Sequence, residues 1–340
     1  MQAAANQCSS LAASIKSAAK VIARNLMDYY PGDEPGKTVG ILPGPPPIGP
    51  YYWWQAGAMF GTIIDYWHYT GDDDYHEVTK RALVHQAGAP TNSYMPPNWT
   101  ASLGNDDQAF WGMAAMLAAE TNFPNPPKDQ PQWLALAQAV FNTQVARYEM
   151  EDCSGGLRWQ IPHSNGGYTY KNTIANVCFL NIAARLARYT NNETYAYWAE
   201  RTWDWVSGVG YIDKDFNVYD GGHTDFNCTD VNKVQFSANP AVLIHGVAIM
   251  YNYVRPYPPS PYESPANPSR PTEKRNGAPA LPVSSTALST TSSPRASWSS
   301  GPASSRSRCS ATSTNTRSRA TCTAPWRRWP WSPPLRAPTS

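Results

Sequence analysis

The sequence predicts an all-α protein built as a toroid of stacked helical hairpins. Apolar residues recur at helical spacing through most of the first 253 residues, whereas strand-like alternation is scarce. The motif YTGDDDY at 69–75 returns as YTNNETY at 189–195, so the chain contains an internal repeat. In addition, four predicted helices begin alike, with polar or aromatic residues at the head and small apolar residues behind them.

The helical periodicity divides this part of the chain into eight segments. Each repeat motif has the polar, turn-forming centre of a tight connection between two helices, so consecutive helices are expected to form hairpins. The predicted helices lie near residues 9–29, 53–69, 73–87, 106–121, 131–149, 172–190, 194–208 and 238–253.

One helix of each hairpin is predicted to face the axis of the toroid. These inner helices begin within 51–60, 105–114, 170–179 and 234–243, and their N-terminal ends are expected to converge on one mouth. The more charged helices between them fit an outer ring. A closed ring of six hairpins would need two hairpins more, which is roughly the length of residues 254–340. We therefore expect a ring that is incomplete at its C-terminal end.

The composition changes abruptly near Tyr253 and predicts two regions, residues 1–253 and residues 254–340. The second region is rich in Ser, Pro and Arg and contains no Asp, Phe, Ile, Met, Gln or His. Such a composition cannot bury a core, so it predicts a disordered linker or stalk. It is also what a GC-rich gene gives out of frame, and we hypothesise that this tail arises from a frameshift or a mispredicted exon.

The bulk composition excludes several classes of partner. The net charge is +2 and charged residues make up 15% of the chain, so no nucleic-acid partner is indicated. The sequence contains no run of about 18 apolar residues that would indicate a membrane span. Its first twenty residues lack the apolar core of a secretory signal. No metal or nucleotide motif is visible, and we expect neither a metal ion nor a cofactor.

Sequons and cysteines give moderate support for secretion. Three N-x-[ST] sequons, at Asn98, Asn192 and Asn227, are candidate glycosylation sites. The six cysteines show no zinc spacing. Cys153 and Cys228 lie in loop-like stretches, where they form either a disulfide or two buried free thiols.

The stretch GNDDQAFW, residues 104–111, places Asp106 and Asp107 side by side at the head of an inner helix. A structural interpretation is that Asn105 or Asp106 caps the helix, while Asp107 is an acid of the first turn that the positive N-terminal end of the helix stabilises. A catalytic interpretation follows from the aromatic neighbours expected at the same mouth, since indole rings suit the C–H faces of sugars. Glycoside hydrolysis needs two carboxyls with different roles, and mutual repulsion raises the pKa of one of them. The aromatic residues expected at this mouth are Tyr52, Trp53, Trp54, Phe110 and Trp111.

Many long motifs then occur in one order between residues 8 and 253, among them YYWWQAGAMFGTIIDYWHYTGD, LGNDDQAFWGMAAM, GGLRWQIP, YKNTIAN and NVYDG. They closely resemble the fungal, Dfg5/Dcw1-like branch of glycoside hydrolase family 76. The resemblance implies an (α/α)6 barrel. It also implies an endo-acting α-1,6-mannosidase or transglycosidase of the cell wall, with α-1,6-mannan or the mannose core of a GPI glycan as donor and β-glucan as an acceptor.

The resemblance assigns roles to individual residues. It makes Asp106 the nucleophile and Asp107 the general acid/base of a retaining mechanism. Two of the candidate sugar contacts have other interpretations, since Lys171 would also neutralise a nearby acid and Trp159 would also anchor a loop. The candidate contacts are Trp53, Trp54, Gln55, Trp159, Gln160, Lys171, Asn172 and Asp220.

The resemblance implies a secreted, plasma-membrane or cell-wall location, although neither a signal peptide nor a GPI signal is visible in this chain. An open ring would expose apolar surface, so we expect this polypeptide to be unstable or inactive. The rival hypothesis is a carbohydrate-binding or structural wall protein that keeps the barrel without catalysis.

Overall fold

The computed structural model describes residues 2–254 of the chain, with side chains described for residues 10–253. All eight predicted helices are present, and the predicted all-α class is confirmed. The prediction of a disordered or frameshifted tail falls on residues 254–340, which lie outside the described residues apart from the backbone of Val254. The helices are α1 (Gln2–Met27), α2 (Trp53–Thr70), α3 (His76–His85), α4 (Asn105–Glu120), α5 (Trp133–Arg147), α6 (Thr173–Thr190), α7 (Glu193–Gly208) and α8 (Ala238–Val254).

Most helix boundaries fall within a few residues of the prediction, and two differ for identifiable reasons. Helix α1 begins at Gln2, seven residues before the predicted start. Helix α3 begins at His76 instead of near residue 73. The Asp72 carboxylate accepts the backbone N–H of Asp74 at 3.2 Å, and such a local bond favours a turn over a helix.

The repeated motif ends two inner helices in the same way. The C-cap residue that follows α2 is Gly71, with φ 80°, and the one that follows α6 is Asn191, with φ 52°. Glycine and asparagine adopt this left-handed conformation more readily than other residues, so both copies of the motif reverse the chain at the same position. The next residue in the second copy, Asn192, then caps α7 by accepting the backbone N–H of Thr194 at 2.9 Å.

The four helices predicted to be inner ones lie side by side in the order α2, α4, α6, α8, while α3, α5 and α7 pack on their outer side. Small residues allow the close approach. A Cβ at Gly112 of α4 would lie 2.9 Å from Val140 of α5 and 3.1 Å from Ile182 of α6. Neighbouring inner helices run parallel, because each is joined to the next through an outer helix, so their N-terminal ends lie at one mouth.

The first and last helices carry exposed apolar side chains. Leu11, Ile15 and Ile22 of α1 are exposed, as are Ile244 and Tyr251 of α8. An apolar face on the last inner helix is the feature that an incomplete ring would leave, and the incomplete ring stays a prediction.

None of the helices within residues 2–254 combines the length and the apolar character that a membrane crossing requires.

A disulfide between Cys153 and Cys228 settles the alternative left open by the sequence. It joins the loop after α5 to the loop after a short strand, and it packs against Trp205 and Tyr211. The bridge encloses 75 residues of sequence, for which chain-entropy arguments predict a stabilisation of roughly 4 kcal/mol. Nearby, β1 (Tyr170–Asn172) pairs antiparallel with β2 (Gly221–His223) and leads directly into α6.

Candidate active site

The N-terminal ends of the inner helices surround an open cleft of about 770 Å³. Each of the four helices or its leading residue contributes to the wall. Helix α2 supplies Trp54, α4 supplies Asp106 and Asp107, the start of α6 supplies Asn172, and α8 supplies Asn239. The convergence on one mouth that the helix starts predicted is therefore present in the structure.

Asp106 lies in the first turn of α4 and is half-buried at the wall of the cleft. Its Oδ1 accepts the backbone N–H of Asp107 at 2.9 Å, and its Oδ2 accepts a hydrogen bond from Nδ2 of Asn172 at 3.3 Å. Burial raises the pKa of Asp106 to about 8, and the negative charge of Asp107 raises it in the same direction. Both hydrogen bonds and the helix end favour the anion, but burial is the larger effect.

Asp107 reaches back to the residue that precedes the helix. Its Oδ2 accepts the backbone N–H of Gly104 at 2.6 Å, so this side chain satisfies an N–H group that the helix leaves unpaired. The structural interpretation is therefore correct for Asp107 as an acid of the first turn, but the expected cap is wrong, because the helix begins at Asn105 and its N-cap is Gly104. Burial raises the pKa of its carboxyl group to about 6, against the opposing effect of the Gly104 hydrogen bond.

The two carboxyl groups are close enough to act on one bond. Asp106 Oδ1 and Asp107 Oδ2 lie 2.2 and 2.9 Å from the point that a Cβ of Gly104 would occupy, so the two oxygens are at most about 5.1 Å apart. Both pKa values are above the ordinary range, and the pair therefore retains a proton near pH 7. The two carboxyl groups share this proton in the free protein, and the roles implied by the resemblance need it on Asp107.

Five of the predicted sugar contacts line the cleft with accessible or hydrogen-bonding side chains. Trp54 packs on Phe110 with ring centroids 4.6 Å apart, and Trp159 is 39% exposed. Asp220 accepts the hydroxyl hydrogen of Tyr170 at 2.8 Å. These side chains give the cleft both the aromatic surface and the polar groups that a sugar needs. The five are Trp54, Trp159, Gln160, Asn172 and Asp220.

Trp53 also borders the cleft, but it is only 5% exposed. Its ring stacks on Trp111 at 5.1 Å between centroids, and its Nε1 donates to Gln86 at 2.7 Å. Trp111, which was expected at the mouth, is fully buried beneath it. These two rings therefore support the wall of the cleft and offer little surface to a ligand.

The structure places Gln55 and Lys171 outside the cleft lining. The side chain of Gln55 accepts the backbone N–H of Tyr52 at 2.7 Å and caps α2. Lys171 is fully buried, and its ammonium group pairs with Glu149 at 3.0 Å. The alternative interpretation of Lys171, as the partner of a nearby acid, matches this geometry.

The three sequon asparagines are exposed, and their glycosylation stays a prediction. Asn98 lies in the loop before α4, next to Trp99 of the cleft. Asn192 and Asn227 use their side-chain oxygen locally, on Thr194 and on the backbone N–H of Cys153, which leaves their nitrogen outward for attachment.

Sequence reasoning missed the residues that reach the cleft from loops and from the fourth inner helix. The loop residues carried no periodic signal, because they come from segments far apart in the chain. The head of the fourth inner helix did carry a signal, because its start within 234–243 predicted that it faces the mouth. The missed residues are Pro45, Pro46, Trp99, Ser102, Leu103, Tyr170, Ile174, Phe236, Ala238 and Asn239.

Gly104 is the position at which a single methyl group should disturb both carboxyls. A Cβ there would overlap Asp106 Oδ1 and would lie 3.1 Å from the backbone oxygen of Trp159. We expect Gly104→Ala to lower turnover by about 100-fold, as a displacement of about 1 Å does in other sites. Turnover kinetics of purified protein measure this. The matched control is Gly166→Ala, where a Cβ would meet nothing within 4 Å, and an equal loss in both variants would contradict the steric argument.

The raised pKa of Asp106 predicts a pH-dependent gain in stability when this residue is replaced. Between pH 3.8 and about 8, folded Asp106 keeps a proton that the unfolded chain has released. Stability therefore falls as pH rises through this window, and Asp106→Asn should escape that loss. At pH 8 the melting temperature of the variant should exceed that of the parent by about 2–4 °C for each kcal/mol of stability gained. At pH 4 the variant should show no such gain. A difference that is equal at both pH values would contradict the assignment, and exposed Asp129→Asn serves as control.

Comparison with known proteins places this chain in one family. Residues 14–256 match Glycosyl hydrolase family 76, and the chain belongs to that family. The mannan endo-1,6-alpha-mannosidase DCW1 of Eremothecium gossypii is 51% identical over 246 residues, which cover 71% of this chain and 53% of that protein. The enzyme of the same name in Saccharomyces cerevisiae is 50% identical over 242 residues. The chain spans about half the length of these curated relatives.

Solved structures agree in fold. Dfg5 from Chaetomium thermophilum, crystallised with glucosamine, is 59% identical with a TM-score of 0.68, and the match covers 70% of this chain and 59% of that one. An inactive variant of a Salegentibacter α-1,6-mannanase, in which two consecutive aspartates are alanine, was crystallised with α-1,6-mannotetrose. It is 16% identical with a TM-score of 0.56, over 70% of this chain and 64% of that one. The likeness confirms the (α/α)6 barrel class, to which the described residues contribute four inner helices.

Proposed function

We propose that this chain is an endo-acting α-1,6-mannosidase of the fungal cell wall, with α-1,6-mannan as its substrate. The observation that carries the proposal is the half-buried Asp106–Asp107 pair that lines an open cleft with aromatic walls. The names of the relatives point to the same substrate. The inactive Salegentibacter variant, altered at two consecutive aspartates, supports a catalytic role for such a pair.

The proposed reaction proceeds with retention through a covalent intermediate. Asp106 attacks the anomeric carbon while Asp107 donates its proton to the departing glycosidic oxygen, so the C–O bond breaks as the ester bond forms. Asp107 then takes a proton from water or from an acceptor hydroxyl, which attacks the same carbon and releases Asp106. An oxygen separation of at most about 5.1 Å supports this path, because a retaining pair lies about 5–5.5 Å apart.

The proposed first step needs the shared proton on Asp107. The Asp106 anion then has two N–H donors, from Asp107 and Asn172, as well as the positive end of α4. A glycosidic oxygen placed near Asp107 gives the proton on that residue an acceptor. We propose that substrate entry fixes the shared proton on Asp107, since the bound sugar replaces water beside the pair.

The remaining expectations belong to the same proposal. Trp54, Trp159, Gln160, Asn172 and Asp220 would contact the sugar. The mannose core of a GPI glycan and a β-glucan acceptor extend the proposal to transglycosylation at the wall. Support for these extensions comes only from the resemblance to the Dfg5/Dcw1-like branch, as it does for a secreted or wall-associated location.

Incubation of the full chain with α-1,6-mannotetraose tests the proposal. We expect cleavage of internal linkages, with products that keep the α configuration when first released, as nuclear magnetic resonance can record. Adding a β-glucan oligosaccharide as acceptor distinguishes transfer from hydrolysis. Binding without turnover would favour the rival carbohydrate-binding protein. If the chain shows neither binding nor turnover, the proposal is refuted for this chain, and the result agrees with the expectation that it is inactive.

A further inference from the structure

Asn239 is a buried amide in the cleft that no catalytic step has so far required. It is the second residue of α8, it is 2% exposed, and it lines the cleft. Its Nδ2 has no hydrogen-bond partner among the residues that the structure describes. A buried donor without an acceptor destabilises the folded protein, so its retention at the wall of a cleft indicates an acceptor that arrives with a ligand.

The other asparagine at an inner-helix start shows the contrast. Asn172 donates from Nδ2 to Asp106 and accepts the backbone N–H of Ala175 with Oδ1, so both ends of its amide are engaged within the protein. Asn239 lies in the first turn of the next inner helix, but its buried Nδ2 has no acceptor among the residues that the structure describes.

Phe236 lies beside Asn239 and adds an aromatic surface. The backbone N–H of Asn239 donates to the carbonyl oxygen of Phe236 at 3.1 Å, so the two residues share one tight turn. The Phe236 ring is 46% exposed and also lines the cleft. An apolar ring face next to a directed amide matches a hexose, which offers C–H groups on one face and hydroxyls at its edge.

The position of this pair is as informative as its chemistry. The inner helices lie in the order α2, α4, α6, α8, so Trp54 on α2 and Asn239 on α8 border the cleft on opposite sides of Asp106. An enzyme that cuts within a chain must hold sugars on both sides of the bond that breaks.

We propose that Asn239 donates from Nδ2 to a hydroxyl of the mannose unit bound on the α8 side of Asp106, while the ring of Phe236 packs against that unit. The inference rests on the proposed function and deepens it, because it assigns a sugar-recognising residue to the side of the cleft opposite Trp54. Asn239 binds substrate under this proposal and takes no part in bond breaking.

The test compares Asn239→Ala and Asn239→Asp with the parent chain on α-1,6-mannotetraose. Loss of one neutral hydrogen bond should lower kcat/KM by about 3- to 10-fold, mainly through KM. The aspartate variant presents a lone pair where a donor is needed, so its kcat/KM should fall by more than about 10-fold. Asn252→Ala is the control, since Asn252 is an exposed asparagine near the C-terminal end of the same helix.

Two further measurements separate recognition from a structural role. A structural residue would lower the melting temperature when replaced, whereas removal of an unpaired buried amide should leave it unchanged or higher. With monodeoxy analogues of mannotetraose, the defect of Asn239→Ala should disappear on the one analogue that lacks the contacted hydroxyl. Unchanged kinetics in Asn239→Ala, relative to Asn252→Ala, would overturn the inference.

The outcomes also distinguish this inference from the proposed function. Binding of α-1,6-mannotetraose is followed through the fluorescence of the tryptophans in the cleft, so a chain without turnover still gives a result. If the parent chain neither binds nor cleaves, the proposed function fails and takes the inference with it. If the parent binds or cleaves and Asn239→Ala equals it, the inference alone fails.

Discussion

Asp106→Asn and Asp107→Asn should each lower turnover of α-1,6-mannotetraose by at least about 10³-fold, with binding changed far less. Proton transfer by a positioned acid or base contributes about 10²–10⁴-fold, and loss of the nucleophile removes the covalent path altogether. Each replacement keeps the shape of the side chain. Turnover and tryptophan fluorescence titrations on the same preparations measure the two effects, with exposed Asp129→Asn as the control.

The two variants should differ on a mannoside with a good leaving group. Such a group departs without protonation, so Asp107→Asn should form the covalent intermediate readily, and azide should restore its breakdown. Neither a good leaving group nor azide should restore activity to Asp106→Asn, because this variant lacks the nucleophile. A slow fluorinated mannosyl donor, followed by fragmentation of the labelled peptide, identifies the attacked residue. A label on Asp107, or azide rescue of Asp106→Asn alone, would show that the two residues have the opposite roles.

Much of this architecture follows from local sequence patterns. The helical period and the repeated Y-T-x4-Y motif predicted every helix and the connections after α2 and α6, because both signals lie within a few residues of the feature they describe. The pair Asp106–Asp107 was found for the same reason. It is local, it lies at a helix start, and aromatic residues follow at once.

The environment of each side chain was harder to predict, because it depends on segments far apart in the chain. Gln55 and Trp54 are neighbours in sequence, yet one caps the helix and the other reaches the cleft. Trp99 and Pro46 border the same cleft from loops that have no regular pattern. The raised pKa values of the aspartate pair depend on burial, which the sequence around Asp106 does not report.

Lys171 shows the same limitation most clearly. The sequence placed it between Tyr170 and Asn172, both of which line the cleft. Its ammonium group points away and donates to the carbonyl oxygens of Asp152 at 2.8 Å and Gly155 at 2.7 Å, besides its ion pair with Glu149. Two of the three ammonium donors therefore bond to backbone carbonyls, and the carboxylate of Glu149 balances the charge. Burial lowers the pKa of Lys171, whereas Glu149 raises it, so the ion pair favours the charged form inside the protein.

Through its bonds to Asp152 and Gly155, this buried ammonium group holds the 152–155 loop against the strand that carries Asn172. Cys153 of that loop forms a disulfide with Cys228, and Asn172 donates to Asp106, so Lys171 is connected to the Asp106–Asp107 pair through its neighbour in sequence. Its contribution to activity is therefore expected to be one of positioning. Its contribution to stability should be larger, because each buried carbonyl left without a donor costs about 1–3 kcal/mol.

Lys171→Met should lower the free energy of unfolding by about 2–4 kcal/mol, as measured by denaturant titration. Methionine keeps most of the side-chain volume, and Arg158 still pairs with Glu149 at 2.9 Å, so the loss reflects chiefly the two carbonyl groups. Lys214→Met is the matched control, since Lys214 is 86% exposed and its ion pair with Asp215 should contribute less than about 1 kcal/mol. A double-mutant cycle with Glu149→Gln isolates the ion pair from the carbonyl bonds. Equal stability of the Lys171 and Lys214 variants would show that the buried ammonium group does not hold this loop in place.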